Sequence, residues 1–209
     1  MGIEHFWTFF ITTLIFMITP GIDTFFILNK SIGEGHKAGI YASFGIICGV
    51  LAHTSFAALG LSLLIARSAL AFAMLKYAGA AYLLYLGIIK IIRNEKMKAF
   101  QQKPVTVSSS RQNFFSGFVT NVLNPKVALF FLAFFPQFIS PSYISSPVPF
   151  FALGVTYALM SMVWFCGLSY FAAAFSAKLL ANEKAGSWLD KISGLVFILM
   201  GLKIAFTKK

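Results

Sequence analysis

Acidic residues are scarce: of 209 residues only 6 are Asp or Glu, and charged residues of both signs make up 11% of the chain. Soluble domains carry about 25% charge, so a surface solvated on all sides is excluded. Cysteine is nearly absent. Cys48 and Cys166 each lie inside an apolar run and form no CxxC pair, which excludes a disulfide framework and favours a packing role. No GxxxxGK followed by Ser or Thr occurs, so an ATP-binding loop is excluded. The three histidines, His5, His36 and His53, are scattered, and neither a metal-ligand cluster nor a nucleophilic triad is visible. The sequence therefore points away from an enzyme and implies no cofactor or metal. "MGIEHFWTFF" has neither a basic n-region nor a small-residue cleavage site, and reads as a retained first span.

What is abundant is apolar: 58% of residues are hydrophobic, with 25 Phe. Hydropathy divides the chain into six spans: Phe6 to Leu28, Ile40 to Ile65, Leu70 to Ile92, Phe114 to Phe138, Val148 to Phe175 and Trp188 to Phe206. Runs beyond about 18 residues cross a hydrocarbon core, so a polytopic helical membrane protein is expected. The net charge of +11 does not imply nucleic acid. Its basic residues fall mostly between spans, where anionic lipid and topology account for them. Lys and Arg concentrate after the first, third and fifth spans, including Lys30, Lys37, Arg93, Lys96, Lys98 and Lys103. The positive-inside rule then places both termini outside.

One hydrophilic stretch, "RNEKMKAFQQKPVTVSSSRQN" from Arg93 to Asn113, divides the chain into residues 1–92 and 114–209, with 93–113 as a cytoplasmic linker. The halves echo each other. "TPGIDTFF" from Thr19 matches "NPKVALFF" from Asn124, and "GAAYLLYLGIIKI" from Gly79 resembles "GLVFILMGLKIAF" from Gly194. Halves of three spans must be mutually inverted. The predicted fold is an all-α membrane protein of six helices in two inverted three-helix repeats, broken in the first and fourth. In secondary transporters such paired breaks mark the substrate site.

Pro20, Gly21 and Pro125 mark the expected breaks, where freed backbone groups need protein or a water-filled cavity; plain proline kinks are the alternative. Asp23 has two open roles: a carboxylate snorkelling to the inner interface near Lys30, or a site for a substrate ammonium or a proton. Lys126 lies too deep to snorkel and must face a cavity or a partner. If the breaks meet, Asp23 and Lys126 come together and, with Thr19, Asn121 and Asn124, make a zwitterion receptor. His53 shares a helix face with Gly45, Gly49 and Gly60, whose spacing suits close packing within or between protomers; homo-oligomerisation stays open. An interhelical hydrogen bond and a proton relay with Asp23 are both open for His53. Lys76 and Lys203 sit near span ends and are expected to snorkel.

Four stretches, "TPGID", "GVLAHTSFAALGL", "KYAGAAYLLYLG" and "FFSGFVTNVLNPKVALFFLAFFPQF", together resemble the LysE/RhtB family of bacterial amino-acid exporters. The resemblance covers nearly the whole chain. It implies six helices in two inverted halves and efflux of amino acids across the inner membrane in exchange for protons. The family's Asn-Pro-Lys falls on Asn124, Pro125 and Lys126, and its early Pro-Gly-Pro-Asp on Pro20, Gly21, Ile22 and Asp23, with Ile22 replacing the second proline. One cavity acid favours small neutral amino acids over dibasic ones. A thiol-redox electron carrier and an inorganic-cation exporter are the competing classes; the first needs cysteines beside the breaks, the second a ligand cluster.

Overall fold

A computed structural model describes residues 2–61, 69–92, 108–172 and 183–206 of the chain. Among these residues lie eight α-helices: α1 (Phe6–Ile18), α2 (Ile22–Glu34), α3 (His36–Phe56), α4 (Ala69–Ile92), α5 (Ser110–Val122), α6 (Pro125–Leu129), α7 (Pro147–Tyr170) and α8 (Glu183–Phe206). No strand occurs among the described residues. A lone antiparallel bridge joins Ile3 to Ile139, and ties the start of α1 to the segment that follows α6. Most of the linker, residues 93–107, and the last residues of the second and fifth predicted spans lie outside the described residues, as do the Lys76 and Lys203 side chains.

His36–Gly60 and Pro147–Tyr170 are each long and apolar enough to cross a membrane. Two bent pairs qualify when each is taken as one span: α1 with α2, bent by 52°, and α5 with Pro125–Phe138, bent by 49°. In α4 and α8 the apolar stretches are Tyr77–Ile89 and Phe197–Phe206, shorter than a full crossing.

Local chemistry sets the helix ends. Ser109 and Gln112 form a reciprocal capping box on α5, and Ser146 caps α7 ahead of Pro147, so orphan N–H groups are satisfied at both starts. Gly35 turns the chain between α2 and α3 at φ 91°, in the left-handed region that glycine enters without steric cost. The bends coincide with proline, which lacks the N–H that would continue each helix. At the first break Gly21 precedes α2, and the exposed Ile22 occupies its first helical position. Proline is tolerated at such a position, and here the break forms with Ile22 in its place.

Without water to expel, helices in a bilayer associate by close packing. A Cβ at Gly45 would strike the Phe114 carbonyl, one at Gly117 the Ala42 carbonyl, and one at Gly49 would lie 2.6 Å from Asn121 Oδ1. These glycines bring α3 against α5. Gly87 and Gly201 similarly admit α8 to α4. Gly60 departs from the expected face: it is exposed, with nothing within 4 Å of its Cβ position. The helix widens to a π turn over Ala57–Leu61, and the altered register takes Gly60 off the side presented by Gly45 and Gly49.

Two apolar clusters fill the interior. The larger contains Phe9, Phe16, Phe130, Phe131, Phe134, Phe135, Phe138 and Tyr157. Its rings tilt or meet edge to face, as for Phe9 with Phe135 at 5.4 Å and 83°, the arrangement favoured by aromatic quadrupoles. The smaller joins α2, α3 and α7 through Ile27, Leu28, Ala42, Ile46, Phe165 and Leu168.

Candidate functional site

In an unbroken helix each carbonyl accepts from the N–H four residues on. Pro20 therefore leaves Phe16 O without its donor, and Pro125 does the same to Asn121 O. Side chains from elsewhere in the chain complete both. Lys126 Nζ donates to Phe16 O at 3.1 Å and to Thr19 O at 3.0 Å. It also lies 4.4 Å from the centre of the Phe16 ring and 5.3 Å from that of Phe197, in cation–π range. His53 Nε2 stands 3.1 Å from Asn121 O. A carbonyl only accepts, so Nε2 carries the proton and donates. Asn124 N–H adds a second bond to the same oxygen at 3.0 Å.

Thus a residue of the second break completes the first, and His53 from α3 completes the second. Gly21 is part of the fit: a Cβ there would lie 3.3 Å from Lys126 Nζ. Thr19 returns its hydroxyl to Ile15 O at 2.7 Å. Asn124 caps α6, accepting from Lys126 N–H at 3.1 Å.

Asp23 lies between the two breaks, 7% exposed, in the first turn of α2, where the helix dipole favours negative charge. Its Oδ2 accepts from Asn121 Nδ2 at 2.8 Å. The Asn124 side chain also lies beside the carboxylate, with the Lys126 ammonium near enough to favour its charge. Asp23 Oδ1 is nevertheless buried without a completed hydrogen bond, and so is Asn121 Oδ1. Each residue of this bonded pair thus keeps one acceptor open, which suits a cation or an N–H-rich group.

The Lys30 side chain is engaged elsewhere. Lys30 pairs with Glu34 and donates to Ser108 Oγ at 3.2 Å. Glu34 also accepts from Ser108 N–H at 3.0 Å and Asn113 Nδ2 at 3.2 Å, so α2 is tied to the start of α5. Sequence reasoning passed over this knot, although the i, i+4 spacing of Lys30 and Glu34 was a signal for it.

It also passed over one face of α7. Tyr157 is buried against Phe130 and Phe131, with ring centres 5.6 and 5.3 Å away, and within the field of Asp23. Phe131 stacks on His53 at 5.7 Å. Ser161 and Trp164 follow on that face, where an i, i+4, i+7 spacing of polar-tipped side chains along an apolar helix was the available signal. The free Cys48 and Cys166 are half-buried on α3 and α7.

A family model described as LysE type translocator matches residues 14–208. An uncharacterized membrane protein of Bacillus subtilis is 32% identical over 195 residues, 90% of this chain and 91% of its own. One of Pseudomonas aeruginosa is 30% identical over 211 residues, 98% and 96%. A leucine efflux protein of Salmonella typhimurium is 30% identical over 207 residues, 98% and 96%. No solved structure matches significantly.

Proposed function

The chain belongs to the LysE type translocator family, whose members are transporters rather than enzymes, and from this we propose that it exports neutral α-amino acids across the bacterial inner membrane by proton antiport. The observation that carries the reading is the buried Asp23 between two proline breaks, with an unfilled acceptor on its own carboxylate and another on Asn121. An α-ammonium group fits that pair. A dibasic substrate would need a second acid, and the electrostatic partners acting on Asp23 are Lys126 and His53. A side chain without charge is therefore favoured, and L-leucine is the first substrate to test because several relatives are named leucine efflux proteins.

In this reading the chain crosses the membrane six times as two inverted halves, 1–92 and 114–209, joined by a cytoplasmic linker with both termini periplasmic. The bends of 52° and 49° at matching prolines support the inversion. Asp23 takes the substrate ammonium and the exchanged proton in turn. Thr19, Asn121 and Asn124 frame the site, and His53 serves as the proton relay to Asp23. Lys126 holds the first break open through Phe16 O and Thr19 O and offsets the Asp23 charge.

The test is release of L-leucine from cells loaded by feeding a leucine dipeptide, with and without the protein, before and after collapse of the pH gradient. Release should require both protein and gradient, and Asp23→Asn should abolish it while membrane insertion persists. If no neutral amino acid is released faster with the protein present, the proposal is wrong.

A further inference from the structure

Ser161 is 0% exposed, and its hydroxyl has no hydrogen-bond partner. That is unusual for a serine inside a helix, where the carbonyl four residues back is within reach. On the same helix Thr156 bonds to Ala152 O at 2.9 Å and Ser169 to Phe165 O at 2.9 Å. One turn beyond Ser161, the indole N–H of Trp164 is also buried without a partner. An indole nitrogen only donates, and when buried it normally finds an acceptor. Two neutral donors therefore stand open on one face of α7.

Their height in the bundle follows from how α2 and α7 run side by side. Tyr157 packs on Phe131, which stacks on His53, and both His53 and Asp23 bond to Asn121. Ile27 and Leu28 share a cluster with Phe165 and Leu168, and the hydroxyls of Ser31 and Ser169 both crowd Gly39. Ser161 falls between the first two of these levels, one helical turn along from the storey of Asp23. Trp164 is packed against both apolar clusters, and so stands where the larger one ends and the smaller begins. Open acceptors on α2 and α5 and open donors on α7 are together the polarity that a zwitterion needs.

We infer that Ser161 Oγ and Trp164 Nε1 receive the carboxylate of the substrate while Asp23 holds its ammonium. The inference rests on the amino-acid export proposed above. Lys126 is not the carboxylate's partner in this arrangement, because its ammonium is engaged at the first break. The Trp164 ring, set between two apolar clusters, then flanks the substrate side chain.

The full chain reconstituted in proteoliposomes tests this through export of labelled L-leucine, with L-leucine and L-leucinamide as competitors. The amide keeps the ammonium and the side chain but lacks the carboxylate. Ser161→Ala and Trp164→Phe should each raise the half-saturating leucine concentration about tenfold, the scale of one hydrogen bond to a charged group. Leucinamide competition should stay unchanged, so the preference for the acid shrinks. Thr156→Ala, which removes a hydroxyl bonded within its own helix, should keep the wild-type preference. Ser161→Ala deletes a single oxygen and carries the test if Trp164→Phe fails to accumulate. Variants that keep the wild-type acid-over-amide preference overturn the inference and leave the export reading standing. A wild-type chain that moves no leucine or other neutral amino acid overturns both.

Discussion

Replacing Lys126 by Met keeps the unbranched stem as far as Cε and removes the ammonium with its charge and donors. Phe16 O and Thr19 O then lose bonds of 3.1 and 3.0 Å in a region that water does not reach freely. Hydrogen bonds between membrane helices contribute about 0.6 kcal/mol on average and up to about 1.7, so losing two costs about 1–3 kcal/mol. Relief from burying an ammonium works in the opposite direction, which keeps the net loss at the lower end. Half of that loss traces to Pro20, which has no N–H to offer Phe16 O. Pro20→Ala restores that N–H, which reaches Phe16 O once Thr19 turns from its ψ of 114° into the helical region. A double-mutant cycle with Pro20→Ala and Lys126→Met should therefore show coupling of about 0.5–1 kcal/mol, above the level of about 0.3–0.5 kcal/mol expected of independent sites. Thermal unfolding of the purified protein in detergent reads this directly, at about 2–4 °C per kcal/mol for a chain of this size. Equal losses from Lys126→Met in the wild-type and Pro20→Ala backgrounds would refute the idea that the lysine stands in for the missing amide.

Two further outcomes follow from the packing. Gly49→Ala places a methyl group 2.6 Å from Asn121 Oδ1, so Asn121 must move and its 2.8 Å bond to Asp23 is lost; leucine export should fall at least tenfold while Gly167→Ala, with nothing within 4 Å, exports normally, and equal export by both variants would count against Asn121 as the support of Asp23. Cys48→Ala with Cys166→Ala should leave export at the wild-type rate, since both thiols are free and on different helices; loss of activity with retained insertion would revive the thiol-redox alternative.

Features that depend on local covalent chemistry and on composition are legible in the amino-acid sequence. A shortage of charge and long apolar runs specify burial in lipid, and proline specifies where a helix must lose a bond, so Pro20 and Pro125 were legible as breaks. The spacing of Gly45 and Gly49 marked a close helix contact, and His53 was readable as facing inward from the same period. Tertiary structure alone decided which donors reach the orphaned carbonyls, because those partners lie 110 and 68 residues away in the chain. It gave Asp23 to Asn121 instead of Lys30, which Glu34 claims. It removed Gly60 from the glycine face through a π turn that no residue pattern announces. It also left Ser161 and Trp164 without partners. A donor is open or filled only in relation to what packs against it, and that relation forms when separate helices meet.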